Sequence, residues 1–159
     1  MKITVNISRQ MLALFDDNGR LVRSYAVSTA LNGPGEEANS NCTPRGLHVI
    51  RAKIGAGQAV NTVFVRRRPS GEIYTPELGL QYPDRDWILT RILWLSGCEP
   101  GYNRSGSCDT MRRYIYIHGT TLERGVGVPR SHGCINMLND DLLELFDSVE
   151  LGTVVDISV

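Results

Sequence analysis

The 159-residue sequence predicts a mainly β fold with a single late helix, and three observations carry that prediction. Ile3, Val5 and Ile7 alternate with polar residues, and Ile115 and Ile117 alternate with Tyr114, Tyr116 and His118, which is the period-two pattern of half-buried strands. Asn, Gly and Pro interrupt the apolar runs at intervals too short for long helices. Helical spacing occurs in one place, where Leu138, Leu142, Leu145, Phe146 and Val149 recur on one face.

Taken in order, residues 3 to 7 form the first strand, and Met11 to Phe15 follows after a Ser-Arg-Gln turn. Asp17-Asn18-Gly19 reverses the chain, because Asn and Gly accept the positive φ of a tight hairpin, and Leu21 to Val27 is the returning strand. Residues 32 to 46 gather Gly, Pro and Asn into a long loop rather than a linker between domains. Strands resume at Leu47 to Ile50 and at Thr62 to Val65. Arg66 to Gly71 is a basic turn, readable as a solvated hairpin tip or as a cationic rim for a carboxylate-bearing substrate. Trp87 to Leu95 is a buried strand, and the polar loop Cys98 to Met111 separates it from the strand Tyr114 to His118. Alternation there puts Tyr114, Tyr116 and His118 on one face, and Gly119 places His118 at a rim. Asn139 is the expected N-cap of the late helix, with Asp140 and Asp141 in the first turn where its dipole favours them. Gly152 stops the helix, and Thr153 to Val159 closes the chain as a strand. No repeat or composition shift divides it, so residues 1–159 read as a single domain.

Lys and Arg number 17 against 17 Asp and Glu, and zero net charge argues against a nucleic-acid or anionic-membrane partner. Residues 1 to 9 lack the apolar run of roughly 7 to 15 residues found in an export signal. The expectation is therefore a cytoplasmic protein with no membrane segment. Cys42, Cys98, Cys108 and Cys134 then read as reduced thiols, and the absence of a Cys-x-x-Cys pair argues against a zinc site that would have to draw on Cys98, Cys108 and His118.

Chemistry concentrates in two short motifs, His118-Gly119-Thr120 and Ser131-His132-Gly133-Cys134-Ile135-Asn136-Met137. The loop between them carries Gly125, Gly127 and Pro129 and can return Cys134 to the side of His118. A cysteine nucleophile needs such a neighbour, since a free thiol is only a few per cent ionised at neutral pH and an imidazolium or polar backbone lowers its pKa. Gly133 leaves backbone N–H groups open to a developing oxyanion. Asp140 and Asp141 belong to the helix dipole, which leaves a backbone carbonyl such as that of Gly119 to orient His118. A lone Cys or His is ordinarily structural, but these two motifs stand together in a Gly-rich context.

These motifs, with Gly125 and Gly127 between them, resemble the signature of the L,D-transpeptidase catalytic-domain family of bacterial cell-wall enzymes. Upstream, Val27-Ser28-Thr29 leading into Thr43-Pro44-Arg45-Gly46-Leu47 resembles the first half of that family's domain. The resemblance implies an antiparallel β-sandwich with one helix following the active-site cysteine. It also implies a muropeptide or peptidoglycan-precursor tetrapeptide as substrate, no cofactor and no metal, and acylation by carbapenems. Carried onto this chain, Cys134 is the nucleophile and His118 the base, oriented by the Gly119 carbonyl. His132, Gly133 and the Cys134 N–H line the oxyanion site, and Tyr116, Ser131 and Asn136 are expected at the substrate. Many members have Arg where Asn136 stands, which leaves open the group that meets a substrate carboxylate.

Water attacking the Cys134 thioester trims a tetrapeptide to a tripeptide, whereas an amine from a second stem forms a crosslink. A cytoplasmic location favours an L,D-carboxypeptidase of cell-wall recycling. The alternatives are an exported L,D-transpeptidase and, from another class, a non-catalytic muropeptide-binding module.

Overall fold

The computed structural model describes residues 1–159, and its ten strands join in one curled, mixed sheet. In chain order the elements are β1 (Lys2–Asn6), β2 (Met11–Phe15), β3 (Leu21–Ala26), β4 (Gly46–Ile54), β5 (Thr62–Val65), β6 (Arg68–Ile73), α1 (Pro76–Gln81), β7 (Leu89–Gly97), β8 (Tyr116–Gly119), β9 (Ile135–Met137), α2 (Asn139–Ser148) and β10 (Val154–Ser158). The strand order is β3-β2-β1-β10-β4-β7-β5-β6, with β8 set against β7 and β9 against β8.

Ile3 and Val5 are fully buried while Lys2 is exposed, as their alternation requires. The β2–β3 turn is held by the Asp16 carboxylate, which accepts from the N–H groups of Asn18 and Arg20, each at 2.9 Å. The sheet is not wholly antiparallel, because β10 lies parallel to β1 and β9 parallel to β8. Parallel neighbours need a crossover, and α2 supplies it between β9 and β10.

Leu142, Leu145 and Phe146 of α2 join a core of 20 buried residues to which β1, β2, β3, β4, β7, β8, β9 and β10 all contribute. The last turn of α2 has no basic residue of its own. Lys53 of β4 donates from Nζ to the carbonyls of Phe146 and Val149, each at 2.6 Å, and so supplies the positive charge that helix end favours.

Four local expectations are corrected. Tyr114 lies outside β8, since it takes φ +57° and its N–H bonds back to Met111 in a turn. Leu138, not Asn139, is the N-cap of α2. The Asn139 side chain is engaged elsewhere, donating to Asn61 and accepting from the Thr90 hydroxyl, both at 2.7 Å. The strand expected from Trp87 begins at Leu89, and Trp87 packs edge-on against Tyr74. The short helix α1 was not anticipated, although Thr75-Pro76 carries its start signal: the Thr75 hydroxyl accepts from the Leu78 N–H, and Pro76 opens the first turn.

Candidate active site

The pairing of β8 and β9 builds the site. Ile117 faces Ile135, His118 faces Asn136 and Gly119 faces Met137 in parallel register. Opposed residues in a sheet point to the same side and successive residues alternate. Ile117, Ile135 and Met137 therefore enter the core, where all three are fully buried. Tyr116, His118, Cys134 and Asn136 turn the other way and line a cavity of about 420 Å³. Of the other residues expected there, Ser131 and His132 line the same cavity, while Gly119 and Gly133 lie behind its lining residues.

Cys134 is half-buried one residue before β9, and its Sγ accepts from the Tyr116 N–H at 3.3 Å and donates to the Tyr114 carbonyl at 3.4 Å. Burial pushes the Cys134 thiol up to about 12, opposed by the Tyr116 N–H, assisted by the Asp86 charge and opposed again by Arg113. His118 is buried, and that burial holds its pKa below the usual histidine value against the opposing pull of Asp86 and the Gly119 carbonyl. Both shifts favour a neutral thiol and a neutral imidazole at rest, so the lowering of the thiol pKa expected from the sequence is outweighed by burial. His118 Nδ1 donates to the Gly119 carbonyl at 2.8 Å, which leaves Nε2 as the basic nitrogen. Gly119 is required there, since a Cβ would lie 2.6 Å from the Leu89 carbonyl and against the Asn139 side chain.

Around Cys134 the chain turns tightly. Gly133 takes φ +132°, and a Cβ would lie 3.1 Å from the Cys42 carbonyl. The Ser131 hydroxyl donates to the Cys134 carbonyl and accepts from the Gly133 N–H at 3.2 Å. The Gly133 N–H is thus engaged, whereas the Cys134 N–H makes no protein hydrogen bond and is the free donor beside the sulfur. Asn136 exchanges backbone hydrogen bonds with Ser28 at 2.8 and 2.9 Å, and its buried Oδ1 has no partner. A buried acceptor of that kind is costly unless something bonds it. His132 is exposed and its Nδ1 lies 3.8 Å from the Asp86 carboxylate.

Sequence reading missed Asp86 and Arg113 and left the basic turn ambiguous. Arg66 and Arg67 form the two-residue tip between β5 and β6, and both line the cavity, which supports the reading as a cationic rim. Arg113 is held by the carbonyls of Gly35, Glu36 and Cys42 at 2.7 to 3.2 Å and so ties the 32–46 loop to the site. Asp86 reaches the site from a loop 32 residues before His118, and Arg113, although close to β8, lies in a polar loop whose pattern gives no sign of its contacts with the 32–46 loop. No group of three or more His, Cys, Asp or Glu side chains converges to hold a metal ion.

A cysteine, a histidine whose Nε2 is left unbonded and a free amide donor in one cavity are the parts of a covalent acyl-transfer site. The chain belongs to the L,D-transpeptidase catalytic-domain family (YkuD), which matches residues 1–157. The probable L,D-transpeptidase ErfK/SrfK of Escherichia coli is 49% identical over 119 residues, covering 65% of this chain and 35% of that protein. YqjB of Bacillus subtilis, provisionally named an L,D-transpeptidase, is 41% identical over 151 residues, covering 95% and 67%. The chain thus spans about a third of the first of these relatives. Among solved structures, L,D-transpeptidase 3 of Mycobacterium tuberculosis, in complex with a faropenem-derived adduct, superposes with TM-score 0.59 at 15% identity, covering 99% of this chain and 59% of that one. The mainly β fold is therefore that of the L,D-transpeptidases. No helix is long and apolar enough to cross a membrane.

Proposed function

We propose that this protein is a cysteine L,D-carboxypeptidase that removes the terminal D-Ala from soluble peptidoglycan stem tetrapeptides, acting in the cytoplasm in cell-wall recycling. The observation that carries the reading is the placement of Cys134, His118 and the free Cys134 N–H on one face of a cavity whose volume suits one short peptide. Membership of the family supports the substrate class.

In this scheme His118 Nε2 takes the thiol proton as Cys134 Sγ attacks the carbonyl carbon before D-Ala. The Cys134 N–H receives the developing oxyanion. His118 then gives the proton to the departing D-Ala nitrogen, leaving a thioester on Cys134. Water attacks that thioester with His118 accepting its proton, and the tripeptide leaves as the free acid while the thiol is restored. Asn136 Oδ1 accepts an N–H of the stem, Tyr116 forms the wall beside the sulfur, and Ser131 holds the turn that presents Cys134. His132, paired with Asp86, covers the outer side of the site.

Transpeptidation is the second reading, favoured by the names of the relatives. It shares every step up to the thioester and replaces water by an amine. Incubation of the purified protein with a soluble tetrapeptide, followed by mass spectrometry, separates the two. Release of D-Ala in excess of exchange with an added D-amino acid supports trimming, and dominant exchange overturns it. Absence of both reactions, with binding retained, supports a muropeptide-binding module. Fractionation of cells producing the protein tests the compartment, and recovery outside the cytoplasm overturns that part.

A further inference from the structure

We propose that Arg67 is the receptor for the free carboxylate of the terminal D-amino acid and makes the site selective for peptides ending just beyond the cleaved bond. The inference rests on the trimming reading for the identity of its ligand. Three cations and one acid, Asp86, line the cavity that holds Cys134, so its walls carry excess positive charge. The cations are not equivalent. Arg113 spends its guanidinium on the carbonyls of Gly35, Glu36 and Cys42 and on the Ser40 hydroxyl, and is a structural tie. Arg66 is exposed and has no anchoring contact.

Arg67 alone is both fixed and available. Its guanidinium carbon sits 4.7 Å from the Tyr114 ring centre and 5.0 Å from that of Trp94. One N–H donates to the Tyr116 hydroxyl at 3.1 Å, the only hydrogen bond the side chain makes, and no carboxylate pairs with it. A guanidinium has five donors, so most of this fork is unspent. A half-buried cation without an anion costs free energy, whereas one held by two rings and a phenol is already oriented for a bidentate carboxylate. Tyr116 connects it to the chemistry, since the same residue's N–H reaches Cys134 Sγ.

The backbone supports the same assignment. Val65 pairs with Arg68, so Arg66 and Arg67 are the two central residues of the hairpin turn, with φ +49° and +64°. Such turns favour Asn-Gly, because side chains with a full Cβ substituent strain at positive φ. This chain instead places two arginines there, a local choice against turn preference of the sort that marks functional positions. Asn136 brings no charge to the cavity, and Arg67 supplies a guanidinium to it from another strand pair.

The test measures equilibrium binding of a stem tetrapeptide ending in D-Ala, and of the same peptide with its C-terminus amidated, to the full chain carrying Cys134→Ala. The acid is expected to bind about ten- to hundredfold more tightly than the amide, the range of a charge-assisted pair. Adding Arg67→Gln should bring the two affinities together, chiefly by weakening the acid, and Arg67→Lys should restore part of the preference. Equal binding of acid and amide without any Arg67 substitution overturns the proposal, as does a preference that survives Arg67→Gln. Loss of amide binding in Arg67→Gln also overturns it, by showing that Arg67 only supports the hairpin. D-Ala release by the unsubstituted chain reports separately: an acid preference without release sinks the trimming reading, and release without a preference sinks the role of Arg67.

Discussion

Replacing His118 with alanine removes the nitrogen proposed to take the thiol proton, and the structure sets the size and pH signature of the expected loss. With burial pushing the Cys134 thiol up to about 12, very little of the sulfur is ionised at pH 7 without help. A positioned general base ordinarily contributes about 10² to 10⁴ in rate, and that factor should disappear at pH 7. Because the residual reaction draws on spontaneous thiolate, its rate should climb about tenfold per pH unit between pH 7 and 10. The unsubstituted protein should instead be flat across that range, since His118 is held below its ordinary 6.5 and is already the free base. The assay is the rate of Cys134 acylation by a carbapenem or penem, followed as an adduct on the intact mass, which does not depend on how the thioester is later resolved. A loss of less than about tenfold, or a variant whose rate ignores pH, would refute the assignment of His118 as base.

Stability should carry its own pH signature. Burial lowers the pKa of His118 and of His48 from an ordinary 6.5, so below that pH the unfolded chain binds protons the native chain resists. Stability from these groups is present above pH 6.5 and is lost as pH falls below it. Cys134 acts in the opposite sense, because its raised pKa keeps the native thiol protonated while the unfolded thiol ionises above about 9. The melting temperature should thus fall on both sides of a plateau near pH 7 to 9, and a flat profile from pH 6.5 to 5 contradicts the histidine assignment. Gly119→Ala should destabilise by about 1 to 3 kcal/mol in chemical denaturation, since its Cβ meets the Leu89 carbonyl at 2.6 Å, and should slow acylation by displacing the carbonyl that orients His118. Lys53→Met should cost about 1 to 2 kcal/mol by leaving the last carbonyls of α2 without their donor, with acylation kinetics unchanged.

Where pattern and local chemistry coincide, the sequence is a good guide to this fold. The alternation of Ile3 and Val5 marks β1, Asn18-Gly19 marks the first hairpin, and the spacing of Leu142, Leu145 and Phe146 marks α2. It misleads where a tertiary partner outbids local preference. Asn139 has the chemistry of an N-cap, yet Thr90 and Asn61 capture its side chain. Tyr114 continues the alternation of Ile115 and Ile117, yet the turn from Met111 sets its backbone, and its ring ends against Arg67. The candidate site divides in the same way. Cys134, His118 and their glycines lie in two compact motifs, and the parallel register of β8 and β9 brings those motifs together. Asp86, Arg113 and the orientation of Arg67 depend on loops and a hairpin folding over that strand pair, which no periodicity encodes.

The central claim is that Cys134 carries the acyl group between bond cleavage and product release. Rapid mixing of the protein with a stem tetrapeptide, acid quench, and mass spectrometry of the peptide containing Cys134 tests it directly. A transient tripeptidyl mass on Cys134 is expected together with stoichiometric D-Ala, both abolished in Cys134→Ala. Release of D-Ala at an undiminished rate from Cys134→Ala would contradict it.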